Sequence, residues 1–357
     1  MFGTAGLEKG SGGIAEWSRE IVRTLLAMAN EGLFEVRIHV LEGSGPDPED
    51  DLFTDENRQR FRWYAGSRWR FAAGVTLPRA DLRLFDHAGL ARLSSMFYRA
   101  RPYQLLIHGV ELLDSARDDY VRAARRARRL IANSHYTARR VMERHQELPE
   151  IRVCWPGKRD PRSPRDAPAV LSADQLGGHA LLIVGRLSAE QRHKGHDQLI
   201  EAMPLILRQV PDARLIVAGD GDDRVRLEHK ARSLGVAGQV LFTGWVSEPQ
   251  LRWLYDQCAV FVLPSDGDGF GLVFLEAMMA RLPCVGLRSG AAAEIFAEGE
   301  SGVLVDREDR SGMAEQLAGL LRDEPRRERL GQAAYQRYLS CFTAPHFAAR
   351  LRTVLTS

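Results

Sequence analysis

Residues 260–287, VFVLPSDGDGFGLVFLEAMMARLPCVGL, decide the fold. The opening VFVLPS is a short apolar run rich in β-branched and aromatic residues that stops at a proline and a polar turn, as a strand buried on both faces does. Glycines at 267, 269 and 271 then free the backbone, and from Gly269 the apolar residues of FGLVFLEAMMARL recur at helical spacing. PCVGL follows as a second buried strand. Strand, glycine turn, helix and strand in that order make a βαβ unit, with parallel strands and the helix packed across them.

The same grammar extends outward in both directions. Strands are expected at 180–187 (ALLIVGRL), 213–219 (ARLIVAG), 239–246 (QVLFTGWV) and 302–306 (GVLVD), and a helix opens near Gly195 and runs through HDQLIEAMPLILRQV. Residues 179–340 therefore read as a doubly wound α/β domain. Residues 1–165 repeat the pattern less cleanly: an amphipathic helix at 12–32, then strands in FEVRIHVLEG, ADLRLFDH, YQLLIHGVEL and ARRLIANS. They imply a second Rossmann-like domain. A buried strand should precede its first glycine turn, yet only MFGTAGLEKGS stands before Gly12-Gly13, so that strand is expected to be missing or to lie upstream. Residues 166–178, within a Pro-, Arg-, Asp- and Gly-rich stretch, form the expected linker. Residues 341–357 read as a terminal helix set apart from the second domain, able to cross back onto the first.

At 357 residues with 45% hydrophobic side chains, the chain can bury two cores without staples. Cys154, Cys258, Cys284 and Cys341 show no CxxC or metal-ligand spacing, so they read as reduced, packed thiols and no metal site is expected. No apolar run is long enough to cross a membrane, and the start lacks the basic and apolar regions of a signal peptide. These features imply a cytoplasmic protein. Residues 1–166 carry 28 Lys+Arg against 23 Asp+Glu, while the remainder carries 21 against 24, so the N-terminal half is the face suited to an acidic or phosphorylated partner.

Chemistry concentrates at the ends of the second domain's strands. In GRLSAEQRHKGHD, residues 185–197, Arg186 follows the first strand and Lys194 precedes a helix, so both cations fall at the crevice where open parallel sheets take ligands. They suit a diphosphate, although two surface charges would look the same. In SDGDGFGLVFLEAMMA, Gly269, Phe270, Gly271 and Leu272 offer backbone N–H groups at a helix start, where an anion docks. Glu276 lies further along that helix, and Asp268 eight residues earlier at its mouth. A glycine-rich turn alone is equally a packing device.

Taken in order, Arg186 and Lys194, FTGWV, SDGDGFGLVFLEAMMA and PCVGLRSGAAAEI resemble the family-4 retaining glycosyltransferases over nearly all of residues 180–310. The resemblance is to the bacterial exopolysaccharide and lipid-linked oligosaccharide mannosyl- or glucosyltransferases among them. It implies the GT-B fold, two Rossmann-like doubly wound domains facing across a cleft. It also implies that Arg186 and Lys194 bind the donor diphosphate, that Glu276 holds the ribose, and that Asp268 stands near the transferred sugar where the family has Glu. Trp245, Val246 and Ser247 would read the base through their backbone. Gly12 and Gly13 match the family's GG turn, which contacts the diphosphate from the first domain. His108, in LLIHGVE, would face the sugar as a catalytic residue, with His87 in FDHAGLA a lesser candidate.

The implied reaction moves a hexose from a nucleotide-diphosphate sugar, GDP-mannose in preference to a UDP-sugar, to a hydroxyl of a glycan or polyprenyl-diphosphate-linked acceptor, with retention and with no metal or other cofactor. Arg186, Lys194 and the Gly269 to Leu272 amides would carry the charge of the leaving phosphate. A non-catalytic nucleotide-sugar binder and a GT-B nucleotide-sugar epimerase are the alternatives. RQRFRWYAGSRWRF, residues 58–71, interleaves arginines and aromatics as nucleic-acid-binding or membrane-interface segments do, or as a partly buried strand pair would. Nucleic acid is not the expected partner; peripheral contact with the inner, anionic face of the cytoplasmic membrane is. The arginines of YVRAARRARRL read as one solvated helix face.

Overall fold

The computed structural model describes residues 1–8, 12–47, 50–94, 102–113, 116–160 and 169–356. The chain divides into a first unit, Met1–Gly157 with Ala344–Ser357, and a second unit, Lys158–Thr343.

The first unit holds strands β1 Phe2–Thr4, β2 Ile38–Val40, β3 Phe61–Trp63, β4 Leu84–Phe85, β5 Gln104–Ile107, β6 Arg129–Ala132 and β7 Ile151–Val153. The second holds β8 Ala180–Val184, β9 Arg214–Ala218, β10 Val240–Gly244, β11 Val260–Leu263, β12 Cys284–Leu287 and β13 Val303–Val305. In chain order the helices are α1 Gly13–Asn30, α2 Arg68–Thr76, α3 Ala88–Ser94, α4 Asp118–Arg126, α5 His135–Arg144, α6 Ala173–Leu176, α7 His196–Gln209, α8 Arg224–Ser233, α9 Glu248–Gln257, α10 Leu272–Met279, α11 Ala292–Ile295, α12 Arg310–Arg322, α13 Glu324–Cys341 and α14 Ala344–Thr356. Short 3₁₀ turns add to these, among them Ala189–Lys194.

Every pairing is parallel, in the orders β3-β2-β1-β4-β5-β6-β7 and β10-β9-β8-β11-β12-β13. Both sheets are doubly wound, and their order reverses between β1 and β4 and between β8 and β11. Those switch points are where such sheets bind ligands, just beyond the strands' C-terminal ends. The second sheet's strands are continuous apolar runs because helices cover both faces: Leu181, Leu182, Ile183, Val260, Phe261 and Val262 have no exposed surface.

The strand expected to be missing from the first unit is present as β1, Phe2–Thr4, paired on both sides. Its three residues carry a single large apolar side chain, so no hydrophobic run marks it. Gly3 sits there because a Cβ would come within 2.8 Å of the Phe85 ring. Within the expected linker, residues 161–168 lie outside the described residues, and α6 with buried Leu176 occupies part of the rest. The second unit starts earlier than the linker reading placed it. Lys158 N–H donates to the Phe342 carbonyl at 2.9 Å and Tyr338 Oη donates to the Lys158 carbonyl at 2.9 Å, tying residue 158 to the end of α13. The chain then returns, and α14 packs on the first unit through buried Phe347 and Leu351. Arg129 Nη1 donates to the Val354 carbonyl at 3.0 Å, and Phe347 lies 6.5 Å from the Trp17 ring.

Candidate functional site

The β8–β11 switch point gathers the chemistry of the second unit. Arg186 leaves the end of β8 with its side chain exposed, and among the described residues it makes no ion pair. Lys194 ends the 3₁₀ turn before α7, and the chain then turns through Gly195 at φ 88°. A side chain at 195 would be strained there and would place its Cβ 2.6 Å from the Pro264 carbonyl oxygen, so glycine is required to bring Lys194 to the sheet's edge.

Lys194 Nζ meets Asp268 Oδ1 at 2.7 Å, with both side chains largely buried. Asp268 N–H donates to Ser265 Oγ at 3.3 Å, while its second oxygen, Oδ2, is buried with no hydrogen-bond partner among the described residues. Burial favours the neutral acid, but the Lys194 charge and hydrogen bond, with the Ser265 hydroxyl, outweigh it and hold the carboxyl below its usual range. Its neighbour Asp266 pairs instead with Arg307 Nη1 at 2.5 Å, and Arg307 also donates to the His193 carbonyl at 3.2 Å. Burial depresses the imidazoles of His193 and His196, the latter to about 4.

The helix expected from Gly269 begins at Leu272. Gly271, at φ 85°, precedes it in the left-handed region, so residues 265–271 form a loop rather than a first helical turn. Phe270 is buried there, its ring 5.9 Å from Phe342. Glu276 is doubly engaged: Lys158 Nζ donates to Oε1 at 2.7 Å and Tyr255 Oη to Oε2 at 2.9 Å. Full burial and the adjacent Glu276 charge push the Tyr255 phenol well above its ordinary value, which keeps its proton on that bond. Beyond β10, Trp245 is 74% exposed and Val246 partly so. Ser247 N–H is committed to Gln250 Oε1 at 2.9 Å in the capping box of α9. That removes one of the backbone groups expected to face a base.

In the first unit, Gly12 caps the N-terminus of α1 at φ 121° and Gly13 is its first residue, leaving the helix's opening amides at the edge of the β1–β4 switch point. His108 follows β5 and is 6% exposed. Its Nε2 lies 2.6 Å from the Asp86 carbonyl, which can only accept, so Nε2 carries the proton; the Trp17 ring stands edge-on at 5.0 Å. His108 N–H donates to buried Glu111 Oε1 at 2.7 Å. His87 accepts the Gly89 N–H at 2.9 Å through Nδ1, a local turn bond.

Asp86 was not anticipated. It follows β4, fully buried, with Thr4 Oγ1 at 2.5 Å and Ser18 Oγ at 2.8 Å from Oδ2, and burial pushes its carboxyl up. A charged residue directly after the apolar LF of ADLRLFDH is the signal that could have found it. Lys158 and Tyr255, the partners of Glu276, lie 118 and 21 residues from it and carry no such signal. Among the described residues no group of three or more His, Cys, Asp or Glu is gathered to hold a metal.

Comparison with known proteins follows the same division. Residues 175–337 match the family described as glycosyl transferases group 1. A GDP-mannose-dependent alpha-(1-6)-phosphatidylinositol monomannoside mannosyltransferase of Mycolicibacterium smegmatis is 35% identical over 158 residues, covering 42% of this chain and 41% of that one. A D-inositol 3-phosphate glycosyltransferase of Corynebacterium diphtheriae is 34% identical over 180 residues, covering 49% and 41%. The chain thus spans less than half the length of the curated relatives it matches. Over nearly its whole length it is similar in fold to sucrose-phosphate synthase from Thermosynechococcus elongatus (TM-score 0.76, 17% identity, 99% of this chain and 98% of that chain). Anabaena HepE in complex with UDP and glucose is similar at a TM-score of 0.73 and 20% identity, covering 100% and 99%.

Proposed function

We propose that this chain, whose second unit carries the group 1 glycosyl transferase match, moves a hexose from a nucleotide-diphosphate sugar to an acceptor hydroxyl with retention at the anomeric carbon. The observation that carries the reading is the pairing of Lys194 with Asp268 at the switch point of a parallel sheet, where Arg186, without an ion pair among the described residues, follows the first strand. Such a place suits a diphosphate, and a carboxylate stands beside the lysine.

In this reading Arg186 and Lys194 bind the diphosphate and take up the charge that develops on the leaving phosphate; one such contact is commonly worth about 3 to 4 kcal/mol at the transition state. When the diphosphate arrives, Lys194 shares its donors between phosphate and Asp268 Oδ1, and the carboxylate so loosened turns Oδ2 out of its buried position to accept a sugar hydroxyl. Glu276, braced by Lys158 and Tyr255, receives the ribose hydroxyls. Bond making and breaking occur on one face of the sugar, and the acceptor's proton passes to the leaving diphosphate. Arg186, Lys194 and the backbone amides of Gly269 to Leu272 supply the charge stabilisation, with no metal required.

GDP-mannose is the preferred donor, supported by the mannosyltransferase relative, and a UDP-sugar is the alternative, supported by the UDP complex of HepE. The acceptor is a glycan or polyprenyl-diphosphate-linked hydroxyl presented at the inner membrane face. The test incubates the protein with GDP-mannose, UDP-glucose or UDP-N-acetylglucosamine, with and without lipid extract. Nucleoside diphosphate release that depends on the extract, with an axial or equatorial product linkage matching the donor's, supports the reading; no release from any donor rejects it.

A further inference from the structure

The segment 58–71 resolves into an edge strand and a helix with two unlike faces. Phe61 is buried in β3, and Phe71, Ala72, Val75 and Thr76 of α2 turn inward against the sheet. Tyr64 joins the two elements: its ring lies edge-on to Phe71 at 5.5 Å and its hydroxyl meets His39 Nδ1 at 2.7 Å. These aromatics are core. They are not a stacking surface for bases.

What remains outside has a different character. Trp69 is 67% exposed and Leu77 is 66% exposed; with Ala73 between them they recur at four-residue intervals and so share one stripe of the helix. Arg62, Arg68, Arg70 and Arg79 are all exposed around it. Arg62 and Arg70 both act on the Tyr64 phenol, offsetting part of the rise that burial causes. Arg62 donates only to the carbonyls of Gln59 and Phe61, and among the described residues none of the four meets a carboxylate. From residue 58 through 80 the chain contains six arginines and no Asp or Glu.

We infer that the outer face of α2, with Arg62 of β3, docks on an anionic lipid surface. Trp69 and Leu77 enter the interfacial zone, where an indole keeps its ring in the apolar boundary and its N–H in the wet headgroups, and the arginines meet lipid phosphates. A groove-reading or base-stacking partner is disfavoured because one aromatic, rather than a row, is presented. The inference goes beyond the transfer reaction and needs neither donor nor acceptor to test.

The experiment floats the full chain with vesicles of equal parts phosphatidylglycerol and phosphatidylcholine, and with phosphatidylcholine alone, at low and high salt. Each basic side chain at an anionic surface contributes roughly fivefold in binding. Arg62→Gln, Arg68→Gln and Arg70→Gln together should weaken binding by about a hundredfold, with unchanged thermal unfolding as the fold control. Trp69→Ser should weaken it too, and high salt should release the wild type. Absence of wild-type binding to anionic vesicles at low salt overturns the inference, as does equal binding by the triple variant. Binding of single-stranded RNA without vesicle binding reassigns the surface to nucleic acid. Nucleoside diphosphate binding is read separately, so either result stands without the other.

Discussion

Lys194 Nζ stands 2.7 Å from Asp268 Oδ1, while Arg186, at the end of the neighbouring strand, meets no carboxylate among the described residues. The two cations are therefore not equivalent. Both Lys194→Ala and Arg186→Ala should weaken nucleoside diphosphate binding by roughly 1.5 to 3 kcal/mol, because each removes a charge-assisted contact to phosphate. Only Lys194→Ala should also destabilise the protein, since it leaves the largely buried Asp268 carboxylate without its partner. Pairing lowers the Asp268 pKa in the folded state, so its stabilisation is present above the unfolded value and is lost as pH falls through the folded one. The stability gap between wild type and Lys194→Ala should close on acidification below about pH 4. Calorimetry with UDP and GDP, and unfolding followed against pH, check both halves; equal effects of the two substitutions on stability would contradict the pairing.

Asp266 and Asp268 are separated in role by their partners. Asp266 is held by Arg307, which also grips the His193 carbonyl, whereas Asp268 keeps one oxygen unengaged. Asp268→Asn should lose about two orders of magnitude in turnover, some 2.7 kcal/mol of barrier, while still binding nucleotide. Asp266→Asn should loosen the loop and lower stability, with a milder effect on turnover. Should Asp266→Asn abolish turnover and Asp268→Asn spare it, the sugar-facing carboxylate is Asp266.

The six strands of the second unit were legible because each is a continuous apolar run walled off by glycine or proline, and the cations at their ends followed from the position alone. The first unit was harder to read for identifiable reasons. Phe-Gly-Thr is a central strand with one bulky side chain, its packing supplied by Phe85 and Phe71 from elsewhere in the chain. Phe61–Trp63 was legible only as aromatic content, since an edge strand needs no run of its own. The start of α10 was misplaced because glycines mark a turn without saying which of them takes the left-handed conformation; Gly271 does. Long-range partners such as Lys158 on Glu276 exist only once the chain is folded.

The return of the chain to the first unit includes a small apolar contact. Phe347 has no exposed surface and lies against Trp17, with Leu351 buried beside it. Phe347→Ala should cost about 3 to 5 kcal/mol, the usual range for a buried phenylalanine, measured by urea unfolding. A loss under about 1 kcal/mol would show that α14 adds little to the first unit's core.

The proton on Asp86 gives the sharpest pH prediction. Thr4 Oγ1 lies 3.2 Å from the Gly6 carbonyl and 2.5 Å from Asp86 Oδ2, and its single proton can serve only one of them. The carbonyl can only accept, so the arrangement is completed if Asp86 is a neutral acid that donates from Oδ2 to Thr4 while accepting from Ser18. Burial favours the same state and outweighs the opposing pull of Thr4, Ser18, His108 and His87, the groups that face it. The folded pKa is raised, so the folded chain holds a proton that the unfolded chain releases above about pH 4, and wild-type stability should fall as pH rises toward the folded value. Asp86→Asn keeps two N–H donors for Thr4 and Ser18 and cannot ionise, so it lacks this decline. The melting temperature of Asp86→Asn relative to wild type should therefore climb steadily from pH 4 upward. Infrared spectra of the wild type, with carbon-13 in its aspartate carboxyls and followed upward from pH 4, should show a protonated carboxyl band that outlasts the ordinary aspartate range, whether or not the variant folds. A flat or falling difference in melting temperature, together with no such band, would mean that Asp86 is an anion and that Thr4 turns its proton toward it.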